Sequence, residues 1–469
     1  MADALVVGAG VAGLATALFV ARSGGHVELL ESDPAAPPQD VRQSLDHWSR
    51  PGVPQMGQGH NIHGLAWLLL RDHAPDVLAG LIAAGAEERP FQVGRPGRDE
   101  SVSALMVRRA VFEWMLRTAV AREPGVTVRT GIRVTGLATV PGGGSRGVVL
   151  DSGEIVEAPW VVDATGRRSA LPRWLEQAGA APPPETFQAS GTRYYARHFR
   201  LRPGVRAPQG DWIFGPTGDL GYLRYSLLPE DGGHFVVTLN TPPSDQELRR
   251  LRDDALWLRA ASLLGPLREW LHPDTSVPAS PVFTMGGLRN ALRDFRPHAG
   301  GKGAGVLPVG DALCHTNPTN GWGVSLALHH ARVVAEAICA RGRRATVTAD
   351  TVRRLTEHAL PYFRVAAAED AERARLAAGA APGWEDPDNP LFFRKVVHPQ
   401  AVRDPLLSRS VQRRIHLLDP PDRLTSDARL VERALRLHRS AREQRPAQDP
   451  GPPRADLLAA LAEPLDRAS

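Results

Sequence analysis

The sequence predicts an α/β protein: a Rossmann-like, discontinuous dinucleotide-binding domain, an inserted mainly β domain and a C-terminal helical region. Three observations carry that prediction. "ALVVGAGVAGLATA" (Ala4–Ala17) joins an apolar strand to a helix through closely spaced glycines. "TRYYARHFRL", "GYLRYSLLP" and "HFVVTLN" are aromatic and β-branched runs of strand character in mid-chain. "GVLPVGDA" (Gly305–Ala312) returns to the buried-strand style of the N-terminus, so the first domain resumes after the insert. The expected division is 1–180 and 291–345 for the two parts of the nucleotide domain, 181–290 for a β-sheet substrate domain, and 346–469 for the helices.

Taken in order, "ALVVG" is a strand, Val11–Ser23 a helix pattern and "HVELLE" the next strand, which makes a tight βαβ unit. Residues 109–122 read as a helix. "VTVRT", "RVTGLATV", "RGVVL", "EIVEA" and "WVVDA" read as short strands of a small antiparallel insert that returns to the parallel sheet. "AAPPPE" (Ala180–Glu185) is a hinge by composition. A helix is expected from about Trp322, with an apolar face at Val324, Leu328, Ala331, Val334 and Ile338. Beyond about 345 the chain is rich in Arg, Ala and Leu and reads as helical. "PAQDPGPP" (Pro446–Pro453) breaks it before a last short helix. There is no internal repeat.

Bulk properties exclude several classes. Of 469 residues, 42% are hydrophobic and 23% charged, ordinary for a globular chain. The net charge of +5 comes from arginines scattered among acids, with only Lys302 and Lys395 as lysines, and argues against a nucleic-acid surface. Two cysteines, Cys314 and Cys339, exclude a disulfide scaffold and a CxxC metal site. The apolar N-terminus lacks a basic leader and runs into a strand, unlike a signal peptide. No apolar run is long enough for a membrane span, so the expected compartment is the cytoplasm.

The first chemical motif is Gly8-Ala-Gly10-Val-Ala-Gly13 between strand and helix. Gly8 permits the tight turn, Gly10 lets a diphosphate approach the backbone, and Gly13 lets the helix pack on the sheet. The free amides at the helix start favour the diphosphate, and Glu31, ending the second strand, is placed for a ribose diol. This motif does not separate NAD from FAD.

"GDALCHTNPTNGWG" (Gly310–Gly323) resembles the GD motif of FAD-dependent monooxygenases of the para-hydroxybenzoate hydroxylase type. The resemblance implies that Gly310 and Asp311 hold the ribityl and diphosphate region. It places Pro318, Gly321 and Gly323 in the loop beside the isoalloxazine ring. Helix-start amides there would stabilise negative charge near N1 of reduced flavin. "SRPGVPQ" and "RAVFEWML" are similar to two further family segments, which bring Arg50 and Arg109 to the cofactor. "VVDATGRRSALPRWL" keeps Gly166 and Ser169 of the family pattern, so Asp163 and Gly166 join the FAD set, but Thr165 stands where the main family has Asp. That style is closest to actinobacterial flavin epoxidases and hydroxylases of natural-product pathways. The segment is tied to NADPH contacts in the main family, so the electron source stays open between NADPH or NADH acting directly and a separate flavin reductase.

The chain lacks any lysine before Lys302, which argues against the flavin halogenases. His60/His63 and His329/His330 have no carboxylate or cysteine cluster to complete a metal site. His315 is a candidate for proton transfer. What the resemblance implies is non-covalent FAD and monooxygenation of an organic, natural-product-like substrate by O2. Hydroxylation or epoxidation would pass through a C4a-(hydro)peroxyflavin. Substrate would lie against the β-sheet, where Tyr195, Trp212, Phe214, Tyr222 and Tyr225 are lining candidates; alternate strand positions face opposite ways. An FAD-dependent reductase or dehydrogenase of an isoprenoid-like alkene and a non-catalytic flavin-binding protein remain the alternatives.

Overall fold

A computed structural model describes residues 2–41, 48, 50, 52–92, 101–140, 143–210, 212–299, 301–340, 342–444 and 451–464. The linker expected at 446–453 lies mostly outside them. The βαβ unit forms as read: β1 (Ala4–Val7), α1 (Val11–Arg22) and β2 (Val27–Glu31). Helix α2 (Arg109–Arg122) follows, then β3 (Trp160–Asp163). A five-stranded parallel sheet runs Val306–Pro308, β3, β1, β2 and Val126–Thr130. β1 and β3 are buried throughout, the uninterrupted apolar style of strands covered on both faces. The "VTVRT" strand is therefore the edge of this parallel sheet. The antiparallel insert is the meander Val134–Thr139, Ser145–Leu150 and Ile155–Glu157 alone. A second small antiparallel sheet, Asn61–Ile62, Ser101–Met106 and Glu87–Gln92, was not legible in the pattern.

The strand order places β1 where the connections diverge to either side, with the crevice at the carboxyl ends of the strands. Three sequence-distant segments leave that edge: the Gly8–Gly13 turn after β1, the "DATG" turn after β3, and the "GD" turn after Val306–Pro308.

The inserted domain is built on a twisted antiparallel sheet. Its central strands are β4 (Arg193–Leu201), β5 (Arg224–Pro229) and β6 (His234–Thr241), in the order β5–β6–β4, with Thr217–Asp219 beyond β5 and Ser276–Pro278 and Phe283–Met285 pairing β4. The helix Asp254–Ser262, capped by the Asp253 carboxylate on the amides of Ala255 and Leu256, covers its outer face. Leu457 and Leu461 of the last helix (Arg454–Ala462) join the same core. Strand β7 (Arg289–Arg293) pairs with both Glu185–Ala189 and Cys314–His315, tying the "GD" segment to the hinge.

Helix α3 (Gly323–Cys339) buries the expected Val324, Leu328, Ala331 and Val334 and packs along α1. Helix α4 (Arg344–Ala377) runs beside it, and shorter helices, including Pro405–Ile415 and Ala428–Gln444, complete the C-terminal region. No helix among the described residues is long and apolar enough to cross a membrane.

Candidate functional site

The glycine turn has the geometry its residues require. Gly8 adopts φ +100°, accessible to glycine at little cost. A Cβ on Gly13 would lie 1.8 Å from the Gly8 carbonyl oxygen, so the close crossing of α1 needs glycine there. Gly10 faces open space, and α1 begins with no side-chain cap, which leaves its first amides free for an anion.

A buried charge cluster backs this turn. The Ala9 amide donates to Glu31 Oε2 at 2.9 Å, and Asp33 N–H donates to Glu31 Oε1 at 2.8 Å. The carboxylate of Glu31, the residue the sequence points at a ribose, braces the turn. Arg50 donates to the Ala9 carbonyl at 3.3 Å and lies 3.1 Å from Glu31 and 3.3 Å from Asp33. Arg50 and Arg109 both meet Glu113, which is fully buried. Arg117 donates to the Ala9 carbonyl at 2.8 Å and approaches Glu113 at 3.6 Å. Burial, then the charge of Arg50, holds the Arg117 pKa below its ordinary value. Sequence reasoning missed Glu113 and Arg117, although their spacing with Arg109 (i, i+4, i+8) puts all three on one face of α2.

The "DATG" turn is built around a buried carboxylate. Asp163 is fully buried and accepts from Thr165 N (3.0 Å), Thr165 Oγ1 (2.6 Å) and the Ser169 hydroxyl. Both carboxylate oxygens of Asp163 hold the loop together. Burial raises its pKa against the pull of those hydroxyls. Gly166, at φ +77°, faces open space at the apex of the loop.

In the "GD" turn, Gly310 is fitted between helices: a Cβ would stand 2.9 Å from Ala12 Cβ in the first turn of α1. Its amide donates to Nδ1 of His330 at 3.0 Å; burial pushes His330 down to about 3, so the ring is a neutral acceptor. The Asp311 side chain is 31% exposed, and its carboxylate lies 3.7 Å from His315 Nε2. His315 is buried, with Nδ1 2.6 Å from the Arg289 carbonyl oxygen. Arg293, which the sequence did not single out, donates to the carbonyls of Ala312 (2.9 Å) and Arg167 (3.0 Å). It thereby locks the "GD" and "DATG" turns to each other.

The loop after it is held by a second buried network. Asn317 Nδ2 donates to Asp370 at 2.9 Å, Asn317 N–H donates to Asn290 Oδ1 at 2.6 Å, and Asn290 Nδ2 donates to Asp370 at 2.8 Å. Pro318 opens a single 3-10 turn, and Gly321 ends it at φ +68° against His63, whose ring nitrogen would be 2.5 Å from a Cβ. Gly323 faces open space at the start of α3, which also lacks a side-chain cap. Thus Gly10 and Gly323 open the starts of two helices that pack together.

Only one of the five aromatic lining candidates faces this loop. Tyr195 and Tyr225 belong to the core beneath Trp257, and Trp212 and Tyr222 pack on the same core. Tyr195 and Tyr225 lie on the outer side of the sheet, because side chains alternate along a strand, and Trp212 and Tyr222, outside the strands, lean on that side from loops. Phe214 sits by His63 and Phe91, with ring centroids 5.9 and 5.8 Å away. The inner face belongs to the other register. Tyr194 donates to Asn317 Oδ1 and lies 2.8 Å from Thr319 Oγ1. His198 contacts the Gly57 carbonyl at 3.2 Å and pairs with Glu230 at 2.8 Å. His60, with Nδ1 2.8 Å from the Gln58 carbonyl oxygen, is pushed down to about 3 by burial and then by the Arg109 charge.

No group of three or more His, Cys, Asp or Glu residues suited to a metal occurs among the described residues. His329 stacks on His358 at 3.6 Å and His330 serves Gly310, which gives both structural roles. Cys314 is buried, and burial raises its thiol pKa far above the ordinary value.

Comparison with known proteins agrees with this geometry. A family model described as FAD dependent oxidoreductase matches residues 106–337, and one described as Glucose inhibited division protein A matches residues 3–189. Protein Rv3254 of Mycobacterium tuberculosis is 28% identical over 454 residues, covering 89% of this chain and 90% of the relative. The menaquinone reductase of Mycolicibacterium smegmatis is 27% identical over 357 residues, covering 73% and 77%. PqsL, a probable FAD-dependent monooxygenase from Pseudomonas aeruginosa, matches with a TM-score of 0.60 at 16% identity, covering 80% of this chain and 98% of that one. The chain is an α/β protein with the fold of the FAD-dependent monooxygenases.

Proposed function

We propose that this protein is an FAD-dependent monooxygenase that transfers one oxygen atom of O2 to an organic substrate by hydroxylation or epoxidation. One observation carries the reading. Three loops distant in sequence (8–13, 163–169 and 310–323) meet at one edge of a parallel sheet, beside two packed helix starts that no side chain caps. The residues present fit FAD. The α1 amides and open Gly10 would hold the diphosphate, backed by Arg50, Arg109 and Arg117. Asp311 offers the one carboxylate of the "GD" turn with room to accept hydroxyl donors. The uncapped α3 start, opened by Gly323, would offer its free amides to the ring of a bound flavin. FAD, when bound, supplies the redox chemistry that activates O2.

The chain's own contribution is orientation and exclusion of water. The Asn317–Asp370–Asn290 network fixes the ring-side loop, and Tyr194 joins it to the substrate sheet. Phe214, His63 and buried Trp322 supply apolar walls, with His63 held neutral by burial at about 4. The test is oxygen uptake by the FAD-loaded protein, coupled to the appearance of an oxygenated product. Flavin that turns over with no substrate-dependent oxygen uptake would overturn the reading.

We further propose that a separate flavin reductase, using NADPH or NADH, delivers the electrons. Thr165 replaces the family's Asp, and its hydroxyl is turned back onto Asp163. Anaerobic stopped-flow with each nicotinamide and candidate substrate is the check, and reduction at the rate of turnover without a reductase would refute it. The likeness to menaquinone reductase favours a second reading, an FAD-dependent reductase of an isoprenoid-like alkene. That enzyme would saturate its substrate without consuming O2.

A further inference from the structure

Helix α4 brings two adjacent buried acids, Glu369 and Asp370, to the ring-side loop, and the asparagine network there uses only Asp370. Glu369 has no solvent exposure and is shared by guanidiniums from three elements. Arg373 of the same helix lies at 3.2 Å, Arg394 of the π-helical turn Phe393–Val397 at 2.7 Å, and Arg414 of the helix Pro405–Ile415 at 3.8 Å. Burial works to raise the Glu369 pKa, but the charges of Arg394, Arg373 and Arg414 outweigh it and hold the carboxyl at about 2, so it stays ionised. Arg373 also meets Asp370 at 3.1 Å. Within these contacts three guanidiniums meet two carboxylates, which leaves one positive charge in excess where burial keeps water away.

Two members of the cluster go on to touch the loop. Arg394 is forked between two acceptors: its Nε donates to Glu369 Oε2, and its Nη2 donates to Oδ1 of Asn320. Asn320 ends the Pro318–Asn320 turn, directly before Gly321 at φ +68°. The fork therefore grips the loop at its left-handed bend. Arg414 lies 3.5 Å from the centre of the Phe393 ring and 6.0 Å from that of Trp322, the residue before α3. The neighbouring Lys395 takes no part, because it is paired with Asp219 at 2.7 Å. A π-helical turn is rare and is found most often at functional sites, and here it carries the residue that joins the C-terminal region to the loop.

We propose that Arg394 is a positioning residue for the flavin. Through Asn320 it fixes the ring-side loop, and its charge, in a cluster with positive charge to spare, favours the more negative, reduced form of the bound cofactor. The inference rests on the proposed placement of FAD and gives the C-terminal helices a part in it, the setting of the reduction potential. Arginine suits the task because its planar fork holds two acceptors at once, whereas a lysine ammonium at the same place supplies charge without that geometry.

Wild type, Arg394→Gln, Arg394→Lys and Asn320→Ala are loaded with FAD. The two-electron potential is measured by spectroelectrochemical titration, together with the visible flavin spectrum and the affinity for oxidised FAD. Arg394→Gln is expected to lose about tenfold in the preference for reduced over oxidised FAD, a potential lower by about 30 mV for a two-electron couple. Arg394→Lys should restore the potential, because it keeps the charge, while its altered flavin spectrum reports the lost fork. Asn320→Ala leaves the ionic cluster paired, so it tests the loop contact even where Arg394→Gln does not fold. It should alter the spectrum as Arg394→Lys does and keep the wild-type potential. An Arg394→Gln protein with the wild-type potential would overturn the proposal. So would a shift that Arg394→Lys fails to restore, or an Asn320→Ala protein with wild-type spectrum and FAD affinity. Potentials that follow the expected pattern without substrate-dependent oxygen uptake would keep the assignment and sink the monooxygenase. Oxygen uptake with a potential indifferent to Arg394 would do the reverse.

Discussion

Replacing Glu113 by Gln tests the charge cluster behind the glycine turn. The cluster contains Arg50, Arg109 and Arg117 against Glu31, Asp33 and Glu113, three charges of each sign. Glu113 has no solvent exposure and meets all three guanidiniums, so the nearly isosteric Gln keeps the volume and removes one charge. Removing one partner of a buried ion pair costs about 3–5 kcal/mol, because the remaining charges stay desolvated and unbalanced. The apoprotein should therefore lose about that much stability in urea unfolding. An anionic diphosphate at the α1 start would restore the balance. A unit charge about 6 Å away at an effective dielectric near 20 contributes roughly 3 kcal/mol. The FAD-saturated variant should accordingly recover most of the loss, beyond the stabilisation that FAD gives the wild type. Paired urea titrations of apo and FAD-saturated protein measure both quantities. A Glu113→Gln apoprotein within about 1 kcal/mol of wild type, or a deficit equal with and without FAD, would refute the reasoning.

Asp311→Ala removes an acceptor for the cofactor's hydroxyls, a loss of about 1–3 kcal/mol, and Gly10→Val fills the open approach to α1; both variants should purify largely without flavin, read from the 450 nm to 280 nm absorbance ratio. Tyr194→Phe should weaken substrate binding and loosen the ring-side loop, whereas Tyr195→Phe, whose hydroxyl has no partner in the outer core, should leave kcat/KM unchanged; equal effects would invert the face assignment. His198 is pulled down by burial but raised further by the Glu230 charge and hydrogen bond, for a net pKa above 6.5. Its contribution to stability is therefore complete below about pH 6.5 and lost as pH rises through the raised folded value, a slope that His198→Gln should flatten in urea midpoints measured from pH 6 to 9.

The parts of this protein legible in its sequence are those whose determinants lie close together in the chain. The strand, glycine turn and helix of the βαβ unit were legible because each is local, and the steric demands on Gly8 and Gly13 survive any tertiary setting. The face of α3 was legible for the same reason, since a 3.6-residue period points one way. The facing of the inserted domain's sheet was not. "RYYARHFRL" places large side chains in both registers of β4, so period-two alternation cannot say whether Tyr194 or Tyr195 looks inward. Only the helix laid over the outer face decides that, by burying Tyr195 under Trp257 and leaving Tyr194 to the ring-side loop. The pairing of Glu113 with Arg50, the lock that Arg293 places on two turns, and the Asn317–Asp370 network likewise join groups dozens of residues apart. A charged residue in a sequence this rich in arginine carries no mark of its partner. Which acid a guanidinium meets is settled when packing removes water and leaves each buried charge the neighbours within its reach.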